Sequence, residues 1–557
     1  MSFQRHFAPQ YVFWRQISSQ MMLENIIIFA YVGFMFVGIL HHEMWIDELQ
    51  AWMIVRDSTS LIDLYGNLSY EGHPFTWYFL LYGLSQITPN PQIMQVFHLL
   101  ISAGVVIIFT KFSPFSLFQK LCFAFGYFSL FEYGMISRNY SLGILLIFLF
   151  CTLYCQNRRS YLLYSFVLAL LANINVFALV FSGVLSLLLL TDAWADLRSS
   201  RQQKSTLFGI ITGAVLLVSS WFLSVLQMTR PVEAEQYVHS NVARAPGLKE
   251  NIEYLATTLS SVWRSHVPIP MTGNTNFWNT NIVTSNEFLP SLSGISVGDL
   301  VAVILSFIFV AAMVFYFSRK LVIACVYLLG VTLILSINYL YDCELRHFGH
   351  LFILLLACFW ILKSQLSSPR YQHQGYQAKV EQAKSIVSGS FLLSLLLSAH
   401  LIAGVYAASM DVLYPFSYSR AAATYIQTHG LADVPLIGED RDTSSISGYL
   451  NRPIYYLIRG ELGTFWKATT PAIQSEPERI ALIEEALTQI EEDKAVLILT
   501  YPISLRALET ATLESLADFG QPISISSEEF FLYLVQKENA KLVRNSTTAL
   551  AFNRNGS

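Results

Sequence analysis

The residues with the means to do chemistry in this 557-residue chain are charged side chains gathered at the ends of apolar runs. The first cluster reads His41-His42-Glu43-Met44-Trp45-Ile46-Asp47-Glu48 and continues to Tyr70-Glu71-Gly72-His73-Pro74-Phe75. A second reads Ser137-Arg138-Asn139-Tyr140-Ser141-Leu142, and a third is Arg346-His347. A carboxylate beside a bilayer surface is costly to desolvate, so Asp47, Glu48 and Glu71 are candidates for function. The other role open to Asp47 and Glu48 is capping and solvating a short helix. Arg138 and Arg346 suit bidentate contact with a phosphate, and His347 adds a donor. Each arginine has a local alternative: Arg138 pairing with Glu132, or Arg346 with Asp342 or Glu344. His41-His42-Glu43 contains ligands that zinc accepts, but adjacent side chains do not define a tetrahedral site. No metal or other cofactor is assigned; a divalent ion has no support beyond those three residues.

Composition decides what must position these groups. Hydrophobic residues make up 54% of the chain and charged residues 13%, against about 25% charged in a soluble protein. Too little polar surface remains to cover a globule of this size, so the chain is expected to be an α-helical polytopic membrane protein. A net charge of −4 gives no electrostatic support to a nucleic-acid partner. Five of the six cysteines lie in apolar runs and Cys343 alone sits in a polar loop, so no disulfide framework is expected. Eleven spans are predicted, at about 24–40, 92–110, 118–134, 140–156, 160–173, 176–192, 206–226, 299–318, 321–338, 348–363 and 386–407. Residues 75–87 are apolar but too short to cross, and are placed as a helix along the interface.

The loops sort by charge. Arg5, Arg15, Lys111, Lys120, Arg158, Arg159, Arg198, Arg201, Lys204, Arg319, Lys320, Lys363, Arg370, Lys379 and Lys384 all fall on one side, which the positive-inside rule makes cytoplasmic together with the N-terminus. The opposite side receives loops 41–91, 132–140, 227–297 and 339–347, and with eleven spans it also receives everything after about residue 410. The chain is thus divided at 1–409, a transmembrane region with outer loops, and 410–557, an extracytoplasmic domain. In the second part, helical patterns at 419–430, 476–493 and 505–517 alternate with strand-like runs at 434–438, 453–457, 494–501 and 529–535. That alternation predicts a small α/β layer structure. No phosphate-binding glycine pattern follows its strands, so it is expected to cap the membrane region without chemistry of its own. In the long loop, a helix at 246–263 precedes an aromatic stretch whose Trp263 and Trp278 either border a lipid entrance or serve as ordinary interfacial belt residues.

An Asp47-Glu48 pair soon after the first span, followed by His73-Pro74 leading into an aromatic helix, resembles the GT-C superfamily of lipid-linked-sugar glycosyltransferases. Protein O-mannosyltransferases and bacterial aminoarabinose transferases belong to that group. Arg138-Asn139-Tyr140-Ser141-Leu142 resembles the family's Arg-x-Tyr-x-Leu element opening the fourth span. Arg346-His347 is similar to the basic position that family members aim at the donor phosphate. The resemblance covers about the first 365 residues. It departs where the common His-Pro-Pro is His73-Pro74-Phe75, and where a second acidic residue in the second outer loop has Glu132 as its nearest counterpart. Metal-binding carboxylates of the oligosaccharyltransferase kind are therefore not implied.

The resemblance implies an inverting transferase on the outer face of a membrane, expected to be a bacterial inner membrane. It would move a sugar from a polyprenyl-phosphate donor to a glycan, lipid or protein acceptor. In that scheme Asp47 removes the acceptor proton, with Glu48 or Glu71 orienting acceptor or sugar. Arg138, Arg346 and His347 stabilise the departing phosphate, and His73 and Tyr140 belong to the donor site. Two other classes compete. A transporter or lipid flippase would carry ionisable residues at mid-membrane depth and internal repeats, whereas here the ionisable residues gather at span ends. A non-catalytic scaffold of a glycan assembly complex has no use for Asp47.

Overall fold

The computed structural model describes residues 8–156, 160–198, 204–232, 248–273, 275–285, 291–292, 295–341, 343–367, 376–467, 473, 475–523 and 528–537. Arg5, Arg158, Arg159, Arg201, Asp342 and Arg370 lie outside these residues. Eight helices among the described residues are long and apolar enough to cross a bilayer: Ser19–His41, Gln92–Phe112, Val176–Arg198, Thr206–Met228, Val297–Phe317, Leu321–Leu340, Leu345–Leu366 and Gly389–Leu413. The protein is a polytopic helical membrane protein. Two shorter apolar helices, Tyr140–Cys155 and Tyr161–Ala172, occupy two further positions where spans are predicted. A helix that is apolar on every side belongs in the middle of a bundle. Leu345–Leu366 is that helix, with 89% of its apolar window buried, whereas Thr206–Met228 and Val297–Phe317 form the rim at 22%.

The predicted span 118–134 is not one regular helix. An α-helix Leu117–Ala124 gives way at Phe125-Gly126 to a π-helix, Tyr127–Met135. At this break two backbones approach closely: Gly404 of the last span packs on Phe125, Gly126 and Tyr127, as small residues allow in membrane bundles. A Cβ on Gly404 would collide with the Phe125 carbonyl and lie 2.6 Å from the Gly126 carbonyl carbon. Gly404→Ala should therefore lower stability by about 1–3 kcal/mol. Gly33→Ala, with open space around its Cα, should not. Thermal unfolding in detergent compares the two.

Between the first two long spans the chain forms three short helices, Ile46–Asp57, Leu61–Leu68 and Thr76–Ser85. The last of these matches the expected interfacial helix. The expected helix at 246–263 is Leu248–His266. A two-residue hairpin, β1 (Ser291–Leu292) with β2 (Ile295–Ser296), precedes the helix Val297–Phe317.

The C-terminal region is a three-layer α/β unit. Its sheet contains β3 (Leu436–Gly438), β4 (Ile454–Tyr456), β5 (Glu461–Gly463), β6 (Lys494–Leu499), β7 (Ala511–Phe519) and β8 (Phe530–Lys537) in the order β5-β4-β3-β6-β8-β7. β3 runs parallel to both β4 and β6, and the remaining pairs are antiparallel. Alternation along β6 explains the layers. Ala495, Leu497 and Leu499 pack with Ile483 and Leu487 of the helix Glu476–Gln489. Val496 and Ile498 pack on the other face with Ala422 and Ile426 of the helix Ser419–Thr428 and with Ile446 of the helix Ser444–Leu450. The predicted helix at 505–517 is wrong, because most of it belongs to β7. Ala511 and Leu513 are buried while Thr512 and Glu514 are exposed, a two-residue period. An irregularity between Ser515 and Ala517 then breaks the alternation and imitates a helical pattern.

Candidate functional site

The three charged clusters meet at one end of the helices. Asp47, at the start of the helix Ile46–Asp57, holds Arg138 Nη1 at 2.5 Å and Arg346 Nη2 at 3.5 Å on a single carboxylate oxygen. Arg138 is presented by the turn between the π-helix and Tyr140–Cys155, and its own carbonyl accepts from His98 Nε2 at 3.2 Å. Arg346 comes from the first turn of the buried central helix, where Tyr133 donates to its carbonyl at 2.6 Å. Its guanidinium lies against a pair of indoles that meet edge to face, 5.2 Å from Trp45 and 5.6 Å from Trp278. It also pairs with Glu344, one of its two local alternatives. The local alternative for Arg138 is not adopted: Glu132 instead accepts from Tyr127 and Trp278 Nε1, each at 3.0 Å. Trp278 is 1% exposed, so it builds the site and is not a belt residue.

A cavity of about 200 Å³ opens beside Asp47, lined by Gln50, Glu71, His73, Tyr78, Arg138 and Asn139 together with Arg441 and Trp466. The last two belong to the C-terminal domain, which is thus more than a cap without a part in the site. Gln50 links the two parts of the chain: its amide donates to the Trp466 carbonyl at 2.6 Å and to Glu71 at 2.9 Å, and it accepts from Trp466 N at 3.0 Å. Glu528 of the same domain accepts from Ile46 N at 2.9 Å, at the start of the helix that carries Asp47.

The two carboxylates of the cavity are pushed apart. Burial raises the proton affinity of Asp47, but Arg138, Arg346 and Arg441 outweigh it and hold the carboxyl well below the usual range. Burial dominates at Glu71, outweighing the hydrogen bond from Gln50 and the nearby Arg230 and Arg138, and its pKa is raised. His73 is driven down to about 3 by burial and by the nearby Arg138 and Arg230, so it is a neutral imidazole. Tyr140 places its ring 5.7 Å from the Arg138 guanidinium. His347 is turned to its own helix, with Nδ1 accepting from Glu344 N at 3.0 Å. Its ring stacks on Phe177.

Glu48 is not in the cavity. It is fully buried on the other side of its helix, accepting from Ser137 N at 2.6 Å and from Trp45 N at 3.2 Å. His42, also fully buried, donates Nε2 to Glu48 at 3.1 Å and Nδ1 to both oxygens of Asp411 at 3.0 Å. This chain of contacts ties the ends of the first and last spans to the residue before Arg138. The zinc role considered for His41-His42-Glu43 does not describe His42, whose two ring nitrogens are taken by carboxylates. Among the described residues no group of three or more His, Cys, Asp or Glu gathers as a metal site.

Burial would lower the pKa of His42, but Asp411 and Glu48 overcome that and raise it to about 10. A group whose folded pKa is raised stabilises the fold fully below its unfolded pKa, near 6.5, and loses that contribution as pH climbs towards 10. Wild-type thermal stability should therefore fall steadily between pH 7 and 10. His42→Gln should start lower and show a flatter profile. Equal slopes in the two proteins would remove His42 as the titrating group.

No family model matches the chain. A search of curated proteins likewise found no match.

Proposed function

We propose that this protein is an inverting glycosyltransferase that takes a sugar from a polyprenyl-phosphate donor and passes it to a hydroxyl-bearing acceptor. The observation that carries the reading is Asp47 held by Arg138 and Arg346 at the wall of a cavity. Two convergent guanidiniums match a phosphate ester. In the empty site Asp47 takes the place of that anion. As the donor phosphate enters it competes for both arginines, which lifts the proton affinity of Asp47 towards that of an ordinary carboxylate. The acceptor hydroxyl then attacks the anomeric carbon while Asp47 accepts its proton. The bond from the anomeric carbon to the phosphate oxygen breaks, and its electron pair leaves on the lipid phosphate, stabilised by Arg138 and Arg346. One displacement inverts the anomeric centre. Glu71, with Gln50 and Tyr78 beside it, orients the sugar or acceptor hydroxyls. The test is transfer by the purified protein across a panel of polyprenyl-phosphate sugars. Product formed by wild type and not by Asp47→Asn supports the reading, and no product from any donor in the panel overturns it.

The same reading takes the chain through the bilayer eleven times. The two shorter helices and the broken segment 117–135 supply the crossings beyond the eight long ones. It puts the N-terminus in the cytoplasm and the Asp47 cavity on the outer face, in keeping with the distribution of Lys and Arg. A reporter fused after Ser557 should then be extracytoplasmic and one inserted at Gln374 cytoplasmic. A cytoplasmic reporter at Ser557 would show an even number of crossings.

A further inference from the structure

His73 borders two cavities. One is the Asp47 cavity, and the other is a narrow space of about 30 Å³ between Tyr65, Leu68 and Phe75 on one side and Leu226, Gln227 and Thr229 on the other. The two helices that flank the second expose apolar side chains around it. The helix Leu61–Leu68 buries Leu64 and Leu68 yet leaves Ile62 and Tyr65 86% and 58% exposed, so it is apolar on both faces. Opposite, the helix Lys204–Met228 presents Phe222, Leu223 and Leu226, all exposed, on the rim of the bundle. Beside this space, next to its lining residue Thr229, stands a cation. Arg230 donates Nη2 to the Glu71 carbonyl at 2.9 Å, and its Nε is buried with no hydrogen-bond partner. Its guanidinium packs on Gly72, whose φ of 65° suits glycine and whose missing Cβ makes the room.

We propose that the passage between the helix Leu61–Leu68 and the end of Lys204–Met228 admits a lipid phosphate from the bilayer. Arg230 receives the phosphate first, and His73 stands at the passage into the Asp47 cavity. The inference rests on the reading that the donor is carried by a lipid phosphate, and it adds where that lipid enters and which residue meets it. A neutral His73 suits this place, since it can exchange hydrogen bonds with a passing phosphate without holding it as an ion pair. The present space takes about one water, so Tyr65 and Leu226 must part as the head group moves through, while the isoprenoid tail stays along the apolar walls.

The experiment places a benzoylphenylalanine photocrosslinker at Tyr65 or Leu226, with Leu340 as a lipid-exposed control at the same end of the bundle. Each protein is set in phosphatidylcholine nanodiscs containing radiolabelled, sugar-free polyprenyl phosphate. Labelling at 65 and 226 should exceed that at 340 several-fold. Arg230→Ala should reduce it by about tenfold, the effect of one charge-assisted contact, and Arg230→Lys should recover part. Equal labelling at all three positions, or labelling indifferent to Arg230→Ala, would overturn the proposal. Full displacement by an equal amount of phosphatidylglycerol would also overturn it, by showing a surface for any anionic phospholipid. No transfer is needed for this readout. A protein that labels as expected but transfers no sugar keeps the passage and loses the glycosyltransferase reading, and the converse result does the reverse.

Discussion

Asp47→Asn should cut glycosyl transfer by about 10²–10⁴-fold, the usual worth of a positioned general base, while donor binding holds or tightens. The two effects have opposite directions because Asp47 has two relationships in the site. To the acceptor it is the base. To the donor it is a competitor, because its carboxylate sits on Arg138 at 2.5 Å and Arg346 at 3.5 Å, the groups a phosphate would use. The amide keeps the shape but gives up the negative charge, so Asp47 no longer competes with the donor for the two guanidiniums. Titration of donor into the protein in nanodiscs measures the first quantity and product formation the second. Glu71 supplies the contrast. Its raised pKa would make it the stronger base once ionised, so Glu71→Gln losing more turnover than Asp47→Asn would transfer the base role to Glu71. Near-normal turnover in both variants would remove carboxylate catalysis from this cavity.

How far the site is legible in the sequence follows from the same residues. Asp47, Arg138 and Arg346 stand out because a charge at the end of an apolar run needs a reason, and Asp47 proves to be the partner of both arginines. Glu48 shows the limit of reading by adjacency. Successive residues on a helix point about 100° apart, and here Asp47 turns to the cavity while Glu48 turns inward to His42 and Ser137. His42 could not be interpreted locally, since its second partner, Asp411, is 369 residues away. Gln50, Arg441 and Trp466 were beyond reach for the same reason: they matter only once the C-terminal domain is docked on the helix Ile46–Asp57. In that domain, β6 was legible because its buried apolar run is continuous. β7 was not, because its irregularity hides its period. Apolar length predicted a span at 118–134, but the break at Phe125-Gly126, where Gly404 packs from the far end of the membrane region, has no signal in apolar length.

Arg346→Ala should weaken donor binding and turnover together, because the phosphate charge it neutralises is present in both the ground and the transition state. Loss of one charge-assisted contact is worth about 1.5–3 kcal/mol, or ten- to a hundredfold in affinity. The surroundings argue for the upper part of that range. The guanidinium rests against the Trp45 and Trp278 rings, its carbonyl is fixed by Tyr133, and Glu344 pairs with one of its nitrogens, so it enters the site already oriented. Arg346→Lys should recover only part, since a point charge on a flexible stem neither stacks on the indoles nor forms a fork. Trp278→Phe separates orientation from charge. It keeps an aromatic face over Arg346 but removes the hydrogen bond to Glu132, leaving a buried carboxylate oxygen without its indole donor. It should therefore cost stability as well as affinity, whereas Arg346→Ala should cost mainly affinity. Donor titration and thermal unfolding of the three variants, measured side by side, distinguish these outcomes. If Arg346→Ala binds donor as tightly as wild type, Arg346 serves only Asp47 and Glu344, and the phosphate site must be rebuilt around Arg138, with Arg441 the remaining cation lining the cavity.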